Sequence, residues 1–165
     1  MIIDKSLVLF LTLSVSQEKD KNMRKVTRVK LQINQINDFI LLGLVSTEPD
    51  YKLSLTLNRK IRITLKNIAP VKLTEANGPE LVFSRFSDTS GSPEKSFNLI
   101  SNRSGKHFLI KKLKNVDYIF HVQDSDNGNN ISHITSSLRE ISAITAVFNI
   151  DANSIKDKNL QYVIQ

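Results

Sequence analysis

Short β-rich segments, separated by brief turns, follow one another along most of the chain and constrain its fold more than any other feature. Links this short favour antiparallel neighbours, because parallel strands need a crossover of about a dozen residues or more. The predicted strands are Val26–Ile33, Phe39–Val45, Ile61–Ile68, Leu81–Phe86, Phe97–Ser101, Lys106–Ile110, Val116–Gln123, Ile144–Ile150 and Leu160–Ile164. Phe39–Val45 is a continuous apolar run, which is typical of a buried central strand, and Gly43 inside it indicates a bulge or a close backbone approach.

Helix start signals follow the second of these strands. Thr47 is a suitable N-cap residue, because its hydroxyl can accept a free backbone N–H of the first turn. Pro49 suits that turn, where its missing N–H is not needed, and Asp50 favours the positive end of a helix. These signals predict a helix over Pro49–Asn58, although the alternation of apolar residues in this range is also typical of a strand.

A second helix is predicted over Ile131–Ile141, where apolar residues recur at helical spacing and Asn129 or Asn130 can cap the first turn. Loops are predicted over Pro70–Pro79 and Asp124–Asn130. The order β-β-α-β-β-β-β-β-α-β-β therefore predicts an α+β fold, with a mainly antiparallel sheet and two flanking helices.

The first residues differ from the rest of the chain. Ser6–Val15 is an apolar run that is too short to span a bilayer, which takes about 20 residues. It has three interpretations: an extension ahead of a true start at Met23, the apolar part of a secretory signal, or an extra strand at the sheet edge. We favour the first, so residues 1–22 are predicted to be an extension and residues 23–165 a single α+β domain.

The candidates for enzyme chemistry are few. The chain has no cysteine, which excludes disulfides, thiolate metal sites and a cysteine nucleophile. The loop around Gly128 does not match a calcium-binding EF-hand, because Gln123 and Ile134 would occupy two ligand positions. No catalytic or metal-binding spacing is found around the three histidines, which are His107, His121 and His133. We therefore predict no enzyme activity, no metal and no cofactor.

The formal net charge of +7 favours anionic partners. Basic residues concentrate in Met23–Lys30, Tyr51–Lys66 and Arg103–Lys114. If these segments converge on one face, nucleic acid is the favoured partner, whereas lysines scattered over several faces favour a protein.

The segment Ile110–Tyr118 reads Ile-Lys-Lys-Leu-Lys-Asn-Val-Asp-Tyr and resembles the motif of the IPExxxVDY family, a group of short bacterial proteins of unknown function. The similarity extends from about Val29 to Val163. Lys111 and Lys112 replace the Pro-Glu pair of the motif, which removes a rigid backbone angle and reverses a charge. The retained positions are Val116, Asp117 and Tyr118. The resemblance implies a soluble cytoplasmic protein without a signal peptide, and it implies no known activity, cofactor or catalytic residue.

The motif also has a direct physical interpretation. At the start of a strand, Asp117 can accept turn amides or pair with a nearby cation, and Tyr118 needs a partner for its hydroxyl if it is buried. Alternation places Val116 and Tyr118 on one face of the strand. On the other face, His121 shares its side with Asp117 and can meet a carboxylate.

We favour structural roles for the motif and predict a non-enzymatic protein-binding or adaptor domain, with RNA or another nucleic acid as the alternative partner. The candidate binding residues are Asp117, Tyr118, Arg103, Lys106, Lys111 and Lys112. The sequence predicts no membrane span and a cytoplasmic location, and it leaves the oligomeric state open.

Overall fold

A six-stranded antiparallel sheet forms the centre of the protein in a computed structural model that describes residues 39–74, 78–88, 90, 95–124 and 128–164. The strands are β1 (Phe39–Val45), β2 (Lys66–Thr74), β3 (Glu80–Asp88), β4 (Lys95–Ser101), β7 (Tyr118–Asp124) and β8 (Ala146–Ile150). Their order is β2-β3-β4-β7-β1-β8, and all neighbours are antiparallel. A separate two-stranded ribbon joins β5 (Arg103–Ser104) to β6 (His107–Phe108). The predicted α+β fold with a mainly antiparallel sheet is confirmed.

Two sequence interpretations concern residues before this region. The predicted strand Val26–Ile33 and the apolar run Ser6–Val15 lie outside the described residues. The predicted division of the chain at residue 23 therefore stays a prediction.

The predicted central strand is confirmed as β1, which lies between β7 and β8. At Gly43 the backbone of β1 closely approaches its neighbours, as the sequence indicated. A Cβ at this position would lie 2.8 Å from Val116 Cγ2 and 3.2 Å from Ile150 Cδ1. Only a residue without a side chain lets β1 pack this tightly against Val116.

The first helix, α1, spans Asp50–Ile61 and confirms the start signals over the strand-like alternation. Thr47 as N-cap is wrong: the cap is Pro49, with no side-chain hydrogen bond, and its carbonyl accepts the amide of Leu53 at 2.9 Å. The helix ends at Arg62, which takes a left-handed φ of 57°.

The second helix, α2, spans Gly128–Arg139, so it starts earlier than predicted. Asn129 and Asn130 belong to its first turn, and neither is its cap. The predicted loop over Asp124–Asn130 is correspondingly too long.

Other boundaries also differ from the prediction. The predicted strand Ile61–Ile68 is mostly wrong, because α1 continues to Ile61 and β2 begins at Lys66. The predicted loop at Pro70 is instead part of β2, where the register shifts between Ile68 and Val71. Pro70 is tolerated because β2 is the edge of the described sheet, where a missing backbone donor breaks no ladder bond.

The chain ends in turns of 3-10 helix, at Ala152–Ser154 and Lys158–Tyr162. The predicted last strand, Leu160–Ile164, is therefore wrong. The Asp157 side chain accepts the amide of Asn159 and starts the second turn, from which Leu160, Tyr162 and Val163 reach the loop-side core.

Different elements pack against the two faces of the sheet. On what we call the helix side, α1 and α2 bury a core that includes Leu53, Leu57, Phe120 and Leu138. On the loop side, the ribbon, the segment after it and the 3-10 turns bury a second core that includes Phe83, Ile100, Leu109, Ile110 and Val163. Neither described helix is long and apolar enough to cross a membrane.

Candidate functional site: a lysine cleft on the loop side

A cleft of about 730 Å³ opens on the loop side, where five chain segments meet. It lies between the end of β2, the start of β3, the turn of the ribbon, the loop after Ile110 and the last 3-10 turn. Its basic residues are Lys72, Lys106, Lys111, Lys114 and Lys158, and we call it the lysine cleft. Asp157 is the single acidic residue among the described residues that line it.

The loop that carries Lys111 and Lys114 is held by Asn102, whose side chain is fully buried. Asn102 Nδ2 donates to the carbonyl oxygens of Leu113 at 2.7 Å and of Val116 at 3.0 Å. These backbone groups have no sheet or helix partner, and buried polar groups of this kind need one. One buried amide therefore fixes the path of the loop.

The same side chain also fixes where the loop begins. Asn102 Oδ1 accepts the amide of Ile110 at 2.9 Å, and its backbone carbonyl accepts the amide of Leu109 at 2.8 Å. No local pattern around Asn102 indicates this role, since a single Asn in a turn is ordinary. Asn102 and its hydrogen-bond partners come together only in the folded protein.

The last 3-10 turn is tied to the same loop. Asp157 Oδ2 accepts the amide of Lys111 at 3.2 Å, while Oδ1 accepts the amide of Asn159 at 3.0 Å. Asn159 Nδ2 donates to the carbonyl of Leu109 at 2.9 Å. Both oxygens of Asp157 are thus engaged by backbone amides, and the turn places Lys158 at the cleft.

Most of the positive charge in the cleft is unpaired. Lys72 Nζ lies 3.2 Å from Glu80 Oε2 in an exposed ion pair. Within the described part of the chain, no carboxylate pairs with the ammonium groups of the other four lysines, Lys106, Lys111, Lys114 and Lys158. Like charges gathered in a concave surface focus a positive potential, so the cleft attracts anions.

Between the lysines, the cleft has apolar walls. Leu73 and Leu81 face each other on β2 and β3, and Tyr162 packs against the same core from the 3-10 turn. Phe108 adds a half-buried ring, over which the guanidinium of Arg103 lies 5.3 Å from the centroid. The cleft therefore offers both charge and apolar surface.

Two of the six predicted binding residues, Lys106 and Lys111, line this cleft. Lys112 does not, because its Nζ donates to the carbonyl of Ser154 at 2.8 Å. Sequence reasoning missed Lys72 and Lys158, which join the cleft only through tertiary contacts. No local signal distinguishes them from other surface lysines.

Asp117 and Arg103 form a half-exposed ion pair of 3.2 Å beside the ribbon. Asp117 Oδ2 also accepts the amide of Ser46 at 3.1 Å. Asp117 was predicted to accept turn amides or to pair with a cation, and the pair with Arg103 confirms the second. These contacts tie the start of β7 to the chain that leaves β1, which is a structural role.

Tyr118 has the hydroxyl partner that its burial requires, because it donates to the carbonyl of Glu48 at 2.7 Å. Burial raises the pKa of this hydroxyl to about 12, with help from the nearby carboxylates of Asp50, Asp117 and Glu48. The group therefore stays a protonated donor at neutral pH.

The predicted shared face of Val116 and Tyr118 is wrong. β7 begins only at Tyr118, so alternation does not extend back to Val116. Val116 belongs to the loop-side core and Tyr118 to the helix-side core.

His121 lies in β7 and is 3% exposed. Its Nδ1 lies 3.4 Å from Asn98 Nδ2, and its ring centroid lies 5.0 Å from that of Phe39. The predicted carboxylate contact is wrong for the described residues. Burial, followed by the nearby charge of Arg85, lowers the pKa of His121 to about 4, so the imidazole is neutral at pH 7.

The two described basic segments do not converge. On α1, Lys52 pairs with Glu48 at 2.8 Å and Lys60 pairs with Glu140 at 2.6 Å, both on the helix side. The lysines of Arg103–Lys114 lie on the opposite side of the sheet. The third basic segment, Met23–Lys30, lies outside the described residues.

The described residues contain no group of three or more His, Asp or Glu side chains that could hold a metal ion. Neither a protein-family model nor a curated protein matches the chain. The resemblance to the IPExxxVDY family therefore stays a prediction.

Proposed function

We propose that the protein is a non-enzymatic binding domain whose lysine cleft receives an acidic part of a partner protein. One observation carries this proposal: four lysines from three chain segments, with no carboxylate partner among the described residues, line one concave surface. Structural side chains hold the loop and the turn that present them, so the charge is placed before a partner arrives. Preorganised charge of this kind favours binding of the opposite charge.

A protein is favoured over nucleic acid by the placement of the basic residues. A duplex needs a continuous basic surface, whereas the segments Tyr51–Lys66 and Arg103–Lys114 lie on opposite sides of the sheet. Single-stranded nucleic acid binds by stacking bases on exposed aromatic faces. Both aromatic residues among the described lining of the cleft, Phe108 and Tyr162, are only partly exposed, and Arg103 lies over the Phe108 ring.

The absence of an enzyme activity and the cytoplasmic location belong to the same proposal. Support for the first comes from the sequence, in which the histidines show no catalytic spacing. Support for the second comes from the resemblance to the IPExxxVDY family, which implies a cytoplasmic protein.

The proposal is tested by reversing charge on one side of the sheet at a time. The cleft variant is Lys111→Glu with Lys158→Glu, and the matched control is Arg59→Glu with Arg62→Glu on the helix side. Each changes the net charge equally. Tagged full-length chains are used to capture partners from native cells, and captured proteins are identified by mass spectrometry.

We expect a protein with an acidic segment that is lost with the cleft variant and retained with the control. Binding of mixed RNA is measured in parallel across a salt series. RNA binding that weakens steeply with salt and disappears in the cleft variant, without a matching protein partner, would establish the nucleic-acid alternative instead.

A further inference from the structure

We infer that the ligand of the lysine cleft is a short linear protein segment in which acidic residues flank one large apolar side chain. This inference rests on the proposed function and adds the chemical class of the partner. It comes from two properties of the cleft, the type of its cations and the nature of the surface between them.

The cations of the cleft are all lysines. An arginine guanidinium binds a carboxylate or phosphate in a fixed two-pronged geometry, whereas a lysine ammonium is a point charge on a flexible stem. Lys106, Lys111, Lys114 and Lys158 are all exposed, so each can adjust to a carboxylate nearby. Such a set suits several carboxylates along an extended chain better than one rigid anion.

The surface between the lysines is the margin of the loop-side core. Leu73 and Tyr162 pack against that core and remain partly exposed, and Leu81 lies beside them. A purely acidic ligand leaves this surface in water. A ligand with a Phe or Leu between its acidic residues covers it, and removal of apolar area from water favours binding.

The size of the cleft selects a segment over a folded surface. Its volume of about 730 Å³ falls within the roughly 300–1,000 Å³ that is typical of pockets for small ligands. One apolar side chain and its immediate neighbours fit such a space. The flat face of a folded domain does not enter it.

Three labelled peptides of equal length test the inference with the full chain by fluorescence anisotropy. The first has a central Phe flanked by as many Glu residues as the cleft has unpaired lysines. The second has Ser in place of Phe, and the third keeps Phe but has Gln in place of every Glu. The protein variants are Lys111→Glu with Lys158→Glu and the control Arg59→Glu with Arg62→Glu.

We expect the first peptide to bind best and the loss of Phe to weaken binding about 10- to 100-fold. Replacing Glu by Gln, or using the cleft variant, should abolish measurable binding, while the control variant binds like the natural chain. Rising salt should weaken binding of the first peptide.

The outcomes separate the inference from the proposed function. Equal binding of the Phe and Ser peptides would overturn the apolar anchor. No binding by any peptide, while a captured protein still depends on the cleft, would overturn the linear segment and leave the proposed function standing. Failure of both the peptides and the cleft-dependent capture would overturn both.

Discussion

The elements that cover the two sides of the sheet differ in how their backbone hydrogen bonds are satisfied. On the helix side, α1 and α2 satisfy their own backbone hydrogen bonds, and packing of residues such as Leu53 and Leu57 supplies the stability. On the loop side, the segment after the ribbon has no regular ladder, so polar side chains hold it. The chief examples are Asn102, which is buried, and Asp157, which is partly exposed.

The lysines of α1 and those of the lysine cleft also differ. The helix-side lysines Lys52 and Lys60 are paired with carboxylates, whereas Lys111 and Lys158 on the loop side are unpaired within the described residues. Irregular structure can place several cations around one cavity, which a single helix cannot. The loop side is therefore the more specific and the more easily damaged of the two.

The largest effect is expected from Asn102→Ala. It leaves the Val116 carbonyl and the Ile110 amide without a partner and takes one of two donors from the Leu113 carbonyl, so we expect the free energy of unfolding to fall by about 4 kcal/mol. The matched control is Ser54→Ala, a buried helix-side hydroxyl that donates to the carbonyl of Tyr51. Its effect should stay below about 1 kcal/mol. Unfolding free energies are measured by urea denaturation. Equal losses in Asn102→Ala and Ser54→Ala would contradict the proposed difference between the two sides of the sheet.

The second effect is the pH dependence caused by His121. Its pKa is about 4 in the folded protein and near 6.5 when unfolded, so the unfolded chain binds more protons between these values. Stability is therefore complete above pH 6.5 and falls as the pH drops toward 4, by about 3 kcal/mol in total. Denaturation at a series of pH values measures this slope.

Two substitutions test whether the His121 imidazole causes this dependence of stability on pH. His121→Gln should flatten the pH dependence between pH 6.5 and 4, because it removes the buried titrating ring. The exposed His133→Gln on α2 should leave it as it is. A slope unchanged by His121→Gln would show that another group causes it.

A smaller effect is expected where the two sides meet, at Asp117. Asp117→Ala removes a charged acceptor from the Ser46 amide, and we expect a loss of about 2 kcal/mol in unfolding free energy. The half-exposed pair with Arg103 adds little. Asp117→Asn keeps an acceptor and should lose less than half as much. Unchanged stability of Asp117→Ala would contradict the structural role.

The smallest effect is expected from Tyr118→Phe, which removes the hydrogen bond to the Glu48 carbonyl and costs about 1 kcal/mol. The natural protein should also lose stability as the pH rises from 10 toward 12, because burial keeps the folded hydroxyl protonated. This alkaline loss should be smaller in Tyr118→Phe. Tyr51→Phe, at an exposed position, serves as the control. If it reduces the alkaline loss of stability as much as Tyr118→Phe does, Tyr118 is not the cause of that loss.

Much of the fold was predictable because its signals are local. The apolar run of Phe39–Val45 and the strands near Leu81–Phe86 and Phe97–Ser101 agree with β1, β3 and β4. Pro49 and Asp50 correctly favoured a helix over the competing alternation. Each of these signals depends only on residues that are close together in sequence.

The errors lie where tertiary contacts decide. Pro70 reads as a loop residue, yet β3 pairs with the strand on both sides of it. Leu160–Ile164 was predicted to be the last strand, although Asp157 starts a 3-10 turn there. The cleft has the same origin: Lys111 was a candidate, while Lys72 comes from a strand distant in sequence.

Pro70 has a further consequence at the outer edge of the described sheet. An edge strand with free backbone groups invites pairing with another chain, and proline combined with a register shift removes part of that template. Lys66 and Lys72 add like charge along the same strand. When newly made copies of the protein crowd together, β2 thus resists edge-to-edge aggregation.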